Sequence, residues 1–207
     1  MTGMRLENIV WDARDPHRLG GFWTAALGAE VITDEPDLVE ARLQLSDDVF
    51  LDLCFPRVSA PAAPPARLRL DLTGGPDLVD DIDPEGNAFR VVEDSGTGPI
   101  AALRLDSADP DRDVVFWSAV TGWIPEGNAT LRHPTGVGPR LELRREAEPK
   151  NRKSRLHLDV RRNAADDGVV DRIVGWGATH VANPPEHPWL LFLDPSGNEF
   201  CVLDAQS

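Results

Sequence analysis

Apolar residues recur along this chain at two periods. Leu19, Phe22, Trp23, Ala26 and Leu27 fall at i, i+3, i+4, i+7 and i+8, the stripe of a helix with one buried face. Asp15 is placed to cap its start, Pro16 suits a first helical position that needs no N–H, and Gly28 is placed to end it. Asp109, Pro110, Phe116, Trp117, Val120 and Gly122 predict a second helix of the same kind. At this spacing the Phe-Trp pair reads as core rather than as a platform for stacking a ligand. Strict alternation marks strands. Leu68, Leu70 and Leu72 share one face of the run 67–72, with Arg67, Arg69 and Asp71 on the other. Leu156, Leu158 and Val160 oppose Arg155, His157 and Asp159 in the run 155–160 in the same way. Further strands are predicted at 6–11, 38–45, 49–55, 100–105, 129–133, 140–145, 178–182, 190–193 and 199–203, and a third helix around Ala165, Val169, Ile173 and Trp176.

The two helices belong to a duplication. Asp12, Asp15, Pro16, Phe22, Trp23 and Gly28 all recur 94 residues later, and Asp83-Pro-Glu-Gly-Asn-Ala-Phe89 recurs 111 residues later as Asp194-Pro-Ser-Gly-Asn-Glu-Phe200. The order β-α-β-β-β, followed by a strand that opens a new round, appears in both halves. Asp-Pro-x-Gly-Asn fits a turn, with Asp and Pro at its first positions and Gly free to be left-handed. Only eleven residues separate Asp71 from Asp83, too few for a helix and two strands. The first half is thus truncated, and the Leu68, Leu70 and Leu72 face must be covered by the other half or by a second chain. Two domains follow from this reading, 1–96 and 97–207, the second better preserved.

Charge and composition narrow the function. A net charge of −14 on 207 residues excludes nucleic acid and anionic membranes as natural partners, since both require basic surface. Only two of the 21 basic residues are lysines, Lys150 and Lys153. Cys54 and Cys201 lie in apolar runs and are expected as buried free thiols, which favours a cytoplasmic protein, either a monomer or a homodimer. No signal peptide or membrane span is expected.

The Asp-Pro, Phe-Trp, Gly pattern, the stretch from Pro149 to Val160, Gly177-Ala-Thr and Asp194-Pro-Ser-Gly-Asn-Glu-Phe-Cys201 resemble the glyoxalase-like group of the vicinal oxygen chelate superfamily. The resemblance implies an α+β fold of paired βαβββ modules, with curved mixed sheets around concave sites. It also implies a choice of activities, from metal-dependent isomerases, lyases and dioxygenases to metal-free proteins that sequester antibiotics. Metal-using members place a His on a module's first strand and a Glu on its last. Here Asn8, Arg69 and Ala88 stand at such positions in the first half, which therefore holds no metal. In the second half His157 and Glu199 match, but Ala102 stands where a partner His is needed.

The expected site is the concave face of the second domain. His157 and Glu199 are its catalytic candidates, as a hydrogen-bonded acid/base pair. Arg104, Asp106, Glu142, Arg144, Asp159 and Trp189 are its substrate-binding candidates. No cofactor is expected; the alternative is a divalent metal on His157, Glu199 and Glu142, short of the three firm ligands usual in catalytic sites. The function expected is metal-independent binding of a small organic molecule, with acid/base turnover where His157 and Glu199 act together. The alternatives are a divalent-metal lyase, isomerase or dioxygenase, and an antibiotic-sequestering protein without catalysis. His17, His133, His180 and His187 show no motif spacing.

Overall fold

The computed structural model describes residues 3–61, 66–74, 82–93, 98–148, 150–164, 166–182 and 188–206. Four rounds of structure follow one another. The first is β1 (Met4–Trp11), α1 (Pro16–Leu27), β2 (Glu30–Glu35), β3 (Leu38–Ser46) and β4 (Val49–Pro56). The second is reduced to β5 (Leu68–Thr73) and β6 (Arg90–Val92). The third is β7 (Ile100–Ser107), α2 (Pro110–Thr121), β8 (Ile124–Pro125), β9 (Thr130–Arg132) and β10 (Arg140–Arg145). The fourth is β11 (Leu156–Arg162), α3 (Val169–Gly175), β12 (Thr179–Val181), β13 (Leu190–Leu193) and β14 (Glu199–Leu203). Asp15 and Asp109 cap α1 and α2 through their side chains, and Gly28 and Gly122 end them in the left-handed region.

The modules pair across the two halves of the sequence. One sheet runs β12-β13-β14-β11-β1-β4-β3-β2, the fourth module against the first, and the other runs β6-β5-β7-β10-β9-β8, the second against the third. β1 and β11 are antiparallel neighbours, as are β5 and β7. Residues 1–96 and 97–207 therefore do not each close a sheet of their own. The reason lies in the exposed edges: each module's first strand has a free side, and the strand that satisfies it comes from the other half.

The truncated module is covered as the uncovered leucines require. Leu68, Leu70 and Leu72 pair in register with Leu105, Leu103 and Ile100, and all six are buried. One apolar core takes in the inner faces of both sheets and the helices. α2 packs on β9 and β10 and also against β1 of the other sheet.

The repeated turns lock this arrangement. Asp83 accepts backbone N–H bonds from Glu85 and Asn87 at one oxygen, and bonds from Asn87 Nδ2 (2.7 Å) and Trp23 Nε1 (3.1 Å) at the other. Asp194 repeats the pattern with Ser196, Asn198 and Trp117 Nε1 (3.2 Å). The Asp-Pro-x-Gly-Asn motif thus shapes a turn and also fastens the buried tryptophan of the facing helix. Burial pushes the Asp194 carboxyl up to about 6, against the opposing pull of its hydrogen bonds. A carboxyl raised in the folded state stabilises the fold below its unfolded value near 4, and that contribution is lost as pH rises through about 6. Urea midpoints between pH 4 and pH 7 should carry this decline, and Asp194→Asn should flatten it; a slope unchanged in the variant would assign it to other groups.

Candidate functional site

The strand registers build two polar faces. On the eight-stranded sheet Cys201, Asp159, Asn8, Asp52 and Arg42 form one cross-strand row over β14, β11, β1, β4 and β3. His157, Val10, Cys54 and Glu40 form the next row, two residues along each strand and so on the same face. Glu199 precedes Phe200, the partner of Leu158, and lies level with His157. The intervening residues, Ile9, Leu53, Leu158 and Phe200, point into the core. Exchange of the first and fourth modules maps Asn8 onto His157, Val10 onto Asp159, Asp52 onto Glu199 and Cys54 onto Cys201.

This pairing redistributes the residues singled out in the sequence. His157, Asp159 and Glu199 share the face just described. Arg104, Asp106, Glu142 and Arg144 lie on the six-stranded sheet, along β7 and β10. Glu142 is therefore no third ligand to His157 and Glu199; it pairs with Arg144 and with Arg140 at 3.6 Å. Asp106 is 2.5 Å from Arg69, and Asp71 is 3.7 Å from both Arg90 and Arg104. Burial raises the carboxyls of Asp71 and Asp106, with the neighbouring arginines opposing it. The second face is thus a lattice of mutual ion pairs. Trp189 is partly buried and adjoins β13, on the alternation of Leu191, which pairs with Cys201. Of the loop predicted to rim the site, residues 184–187 lie outside the described residues.

His157 and Glu199 do not serve each other. Glu199 is engaged by Lys150 Nζ and by the backbone N–H of Ser154 at 3.2 Å. His157 Nε2 instead lies 3.3 Å from Asp159 Oδ1. The other buried carboxylates of the face are also closed by cations: Asp12 by Lys153, Asp52 by Arg42 Nε and Nη2, each at 2.8 Å, and Glu7 by Arg5 and Arg161. Among the described residues no lysine or arginine pairs with Asp159, and its buried Oδ1 faces His157 Nε2 without a hydrogen bond. Its Oδ2 receives Asn8 Nδ2 at 3.4 Å. Burial and the charge of Asp159 hold the Cys201 thiol far above its usual range, and burial and Glu40 do the same to Cys54. Both cysteines are free and buried, as expected.

These contacts test the fit of the metal that the resemblance implies. The two carboxylates at closing-strand positions, Asp52 and Glu199, are each neutralised by a cation of the chain, and Asn8 stands in place of one His. That set does not fit a divalent ion. The sequence offered one signal that went unused. Asp52-Leu-Cys54 and Glu199-Phe-Cys201 are the same acid-apolar-cysteine pattern on the last strand of each module, and they mark Asp52 and Cys201 as members of one site. A cleft of about 290 Å³ opens against the β10–β11 connection, lined by its Lys150, Lys153 and Ser154 and, from the six-stranded sheet side, by Arg67, Arg69 and Asp106. The two lysines of the chain both reach from that connection into the eight-stranded face.

Paired βαβββ modules building two open sheets define the vicinal oxygen chelate superfamily. The model of the glyoxalase-like domain matches residues 8–82 and 102–203, and the chain belongs to that family. Its fold is similar to a glyoxalase I mutant from Zea mays, with 16% identity, 98% of this chain and 94% of that chain covered, and a TM-score of 0.66. A proposed dioxygenase from Bacillus subtilis gives 13%, 100%, 86% and 0.62, and the cppA protein from Streptococcus pneumoniae gives 11%, 97%, 98% and 0.52. At these identities the likeness is one of fold. No curated protein matches the chain at a significant level. No helix among the described residues is long and apolar enough to cross a membrane.

Proposed function

We propose that the chain binds a small organic molecule against the polar face of the eight-stranded sheet, with its body in the adjoining cleft. One observation carries this reading: His157, Asp159, Asn8 and Cys201 stand together on the eight-stranded face, and the open cleft is lined by Lys150 and Lys153, which reach Glu199 and Asp12 at the edge of that face. The cleft is close to the lower size for pockets that hold small ligands. The His157 imidazole, with the Asp159 carboxylate beside it, is the group suited to exchange a proton with a bound molecule. Glu199 takes no part in that exchange, since Lys150 and Ser154 occupy it; it holds the β10–β11 connection onto the sheet. Binding in this reading needs no ion at the Asn8, Asp52, His157 and Glu199 positions.

The test is a thermal-shift screen of small oxygenated aromatics and organic acids, run on full-length protein with a chelator present. Hits are expected to lose affinity by more than roughly tenfold in His157→Ala and to keep it in Arg104→Ala, about the effect of one charge-assisted hydrogen bond. Hits that depend on Arg104 and ignore His157 would move the site to the six-stranded face and overturn the proposal. Binding that appears only when the chelator is replaced by Mn(II) or Fe(II), at a site lost in Glu199→Gln, would favour the metal-dependent enzyme instead.

A further inference from the structure

The repeat that relates the two halves also relates two arginines. Arg67 opens the run Arg67-Leu-Arg-Leu-Asp-Leu72, and Arg155 opens Arg155-Leu-His-Leu-Asp-Val160. Their backbone frames match: Asp106 N–H donates to the Arg67 carbonyl and Asp12 N–H to the Arg155 carbonyl, both at 2.9 Å. Each guanidinium then reaches an Asp-Pro-x-Gly-Asn turn, and there the two differ. Arg155 meets the Glu85 carboxylate and is closed off, 3% exposed. The residue that matches Glu85 is Ser196, whose hydroxyl donates to Asp113 and accepts the Ala108 N–H. Arg67 therefore keeps its charge. Its three bonds go to Asn198 Oδ1 (2.8 Å) and to the carbonyls of Glu148 and Asp106 (3.2 Å each), all neutral oxygens. We infer that the cleft beside Arg67 is a carboxylate site, in which a small organic monoacid takes the place that Glu85 fills at Arg155.

Two further observations carry it. Ser154 lines the same cleft, is 7% exposed, and its hydroxyl has no hydrogen-bond partner. A buried hydroxyl left unpaired is costly, and a carboxylate oxygen is an acceptor that relieves it. The Arg67 guanidinium has N–H donors beyond those its three bonds use, and a carboxylate is the acceptor its planar fork fits best. The other cations of the cleft named so far are spent: Lys150 on Glu199, Lys153 on Asp12 and Arg69 on Asp106. Glu146 and Glu148 also line the cleft and oppose a second negative charge, so a carboxylate fits better than a phosphate dianion. The inference rests on the reading of this cleft as the seat of the ligand, and it specifies the chemistry of the end that lies there. Arg67 binds and orients that end and takes no part in proton transfer.

The experiment titrates the full-length protein, with a chelator present, by calorimetry with benzoate, its neutral counterpart benzamide, and inorganic phosphate. Benzoate is expected to bind at least roughly tenfold more tightly than either of the others. Arg67→Gln should weaken benzoate by more than roughly tenfold and Ser154→Ala by about threefold, while Arg104→Ala, outside the cleft, leaves it unchanged. Circular dichroism of each variant separates loss of binding from loss of fold. The comparison of benzoate with benzamide needs no variant, so it decides the case in which Arg67→Gln fails to fold. No measurable benzoate binding, equal affinity for benzoate and benzamide, phosphate bound more tightly than benzoate, or benzoate binding that survives Arg67→Gln would each overturn the inference. Ligands that need His157 and ignore Arg67 would leave the proposed function standing without this site. Benzoate that needs Arg67, where no ligand needs His157, would do the reverse, so the two readings fail separately.

Discussion

Residues 1–96 expressed alone are expected to aggregate or stay unfolded, and so are residues 97–207. Each fragment exposes two strands that the intact chain pairs: β1 and β5 in the first, β11 and β7 in the second. The first fragment also bares Leu68, Leu70 and Leu72, whose burial is worth very roughly 5–8 kcal/mol, comparable to the whole stability of a small domain. The contacts kept within a half are fewer. Trp23 still finds Asp83, and Trp117 still finds Asp194, but these clasps join a helix to a turn on the opposite sheet, and neither sheet survives the cut. Co-expression should restore both ladders at once. The mixed fragments are expected to copurify and to melt in one cooperative transition near that of the intact chain. A soluble, monomeric 1–96 fragment with its own sharp transition would show that the half is an independent domain and that the cross-half ladders are secondary.

What was legible in the sequence divides along the range of the interaction. Helices α1 and α2 announce themselves through Asp15, Pro16 and Gly28 and their repeats, because caps and breakers act within a few residues. The buried leucine face of β5 and the burial of both cysteines were equally open to local reading. The partner of each strand was not. A βαβββ module has a free first strand whose hydrogen bonds either neighbouring module can satisfy, and nothing in residues 5–11 states whether 67–72 or 155–162 will lie beside them. That single ambiguity misgrouped the site: Arg104, Asp106, Glu142 and Arg144 were placed with His157 because they share its half of the chain. Lys150 and Lys153 were missed for a related reason, since ion pairs such as Lys150–Glu199 and Lys153–Asp12 join residues whose nearness depends on the sheet order. Alternation alone put Asp159 on the same face as His157, and the strand register agrees. That no lysine or arginine among the described residues pairs with it shows only when its neighbours are in place.

Trp117→Ala is expected to cost about 3–5 kcal/mol, and Trp23→Ala a similar amount, both read as shifts in urea midpoint at constant slope. Each indole is about 1% exposed and lies among aromatic neighbours, Phe116 and Phe200 around Trp117, and Trp11, Phe22 and Phe89 around Trp23. Removing either leaves a cavity that sheets on both sides prevent from closing. A second loss is electrostatic. Asp194 is deeply buried, and Trp117 Nε1 is one of its four donors, so the alanine variant also leaves that carboxylate less satisfied. Trp117→Phe separates the two effects: most of the volume stays, the N–H goes, and a cost of about 1–3 kcal/mol is expected. That cost should depend on pH in a definite direction. Below about 6 the Asp194 carboxyl holds its proton and has less need of a donor, so the Trp117→Phe penalty should be smaller at pH 5 than at pH 8. A penalty that is equal at both would mean that Asp194 is ionised throughout and that its other three hydrogen bonds suffice. If Trp117→Ala instead leaves the urea midpoint in place and abolishes ligand binding, the indole is a stacking surface for the ligand, and its burial in the core counts for less than its clasp on Asp194 suggests.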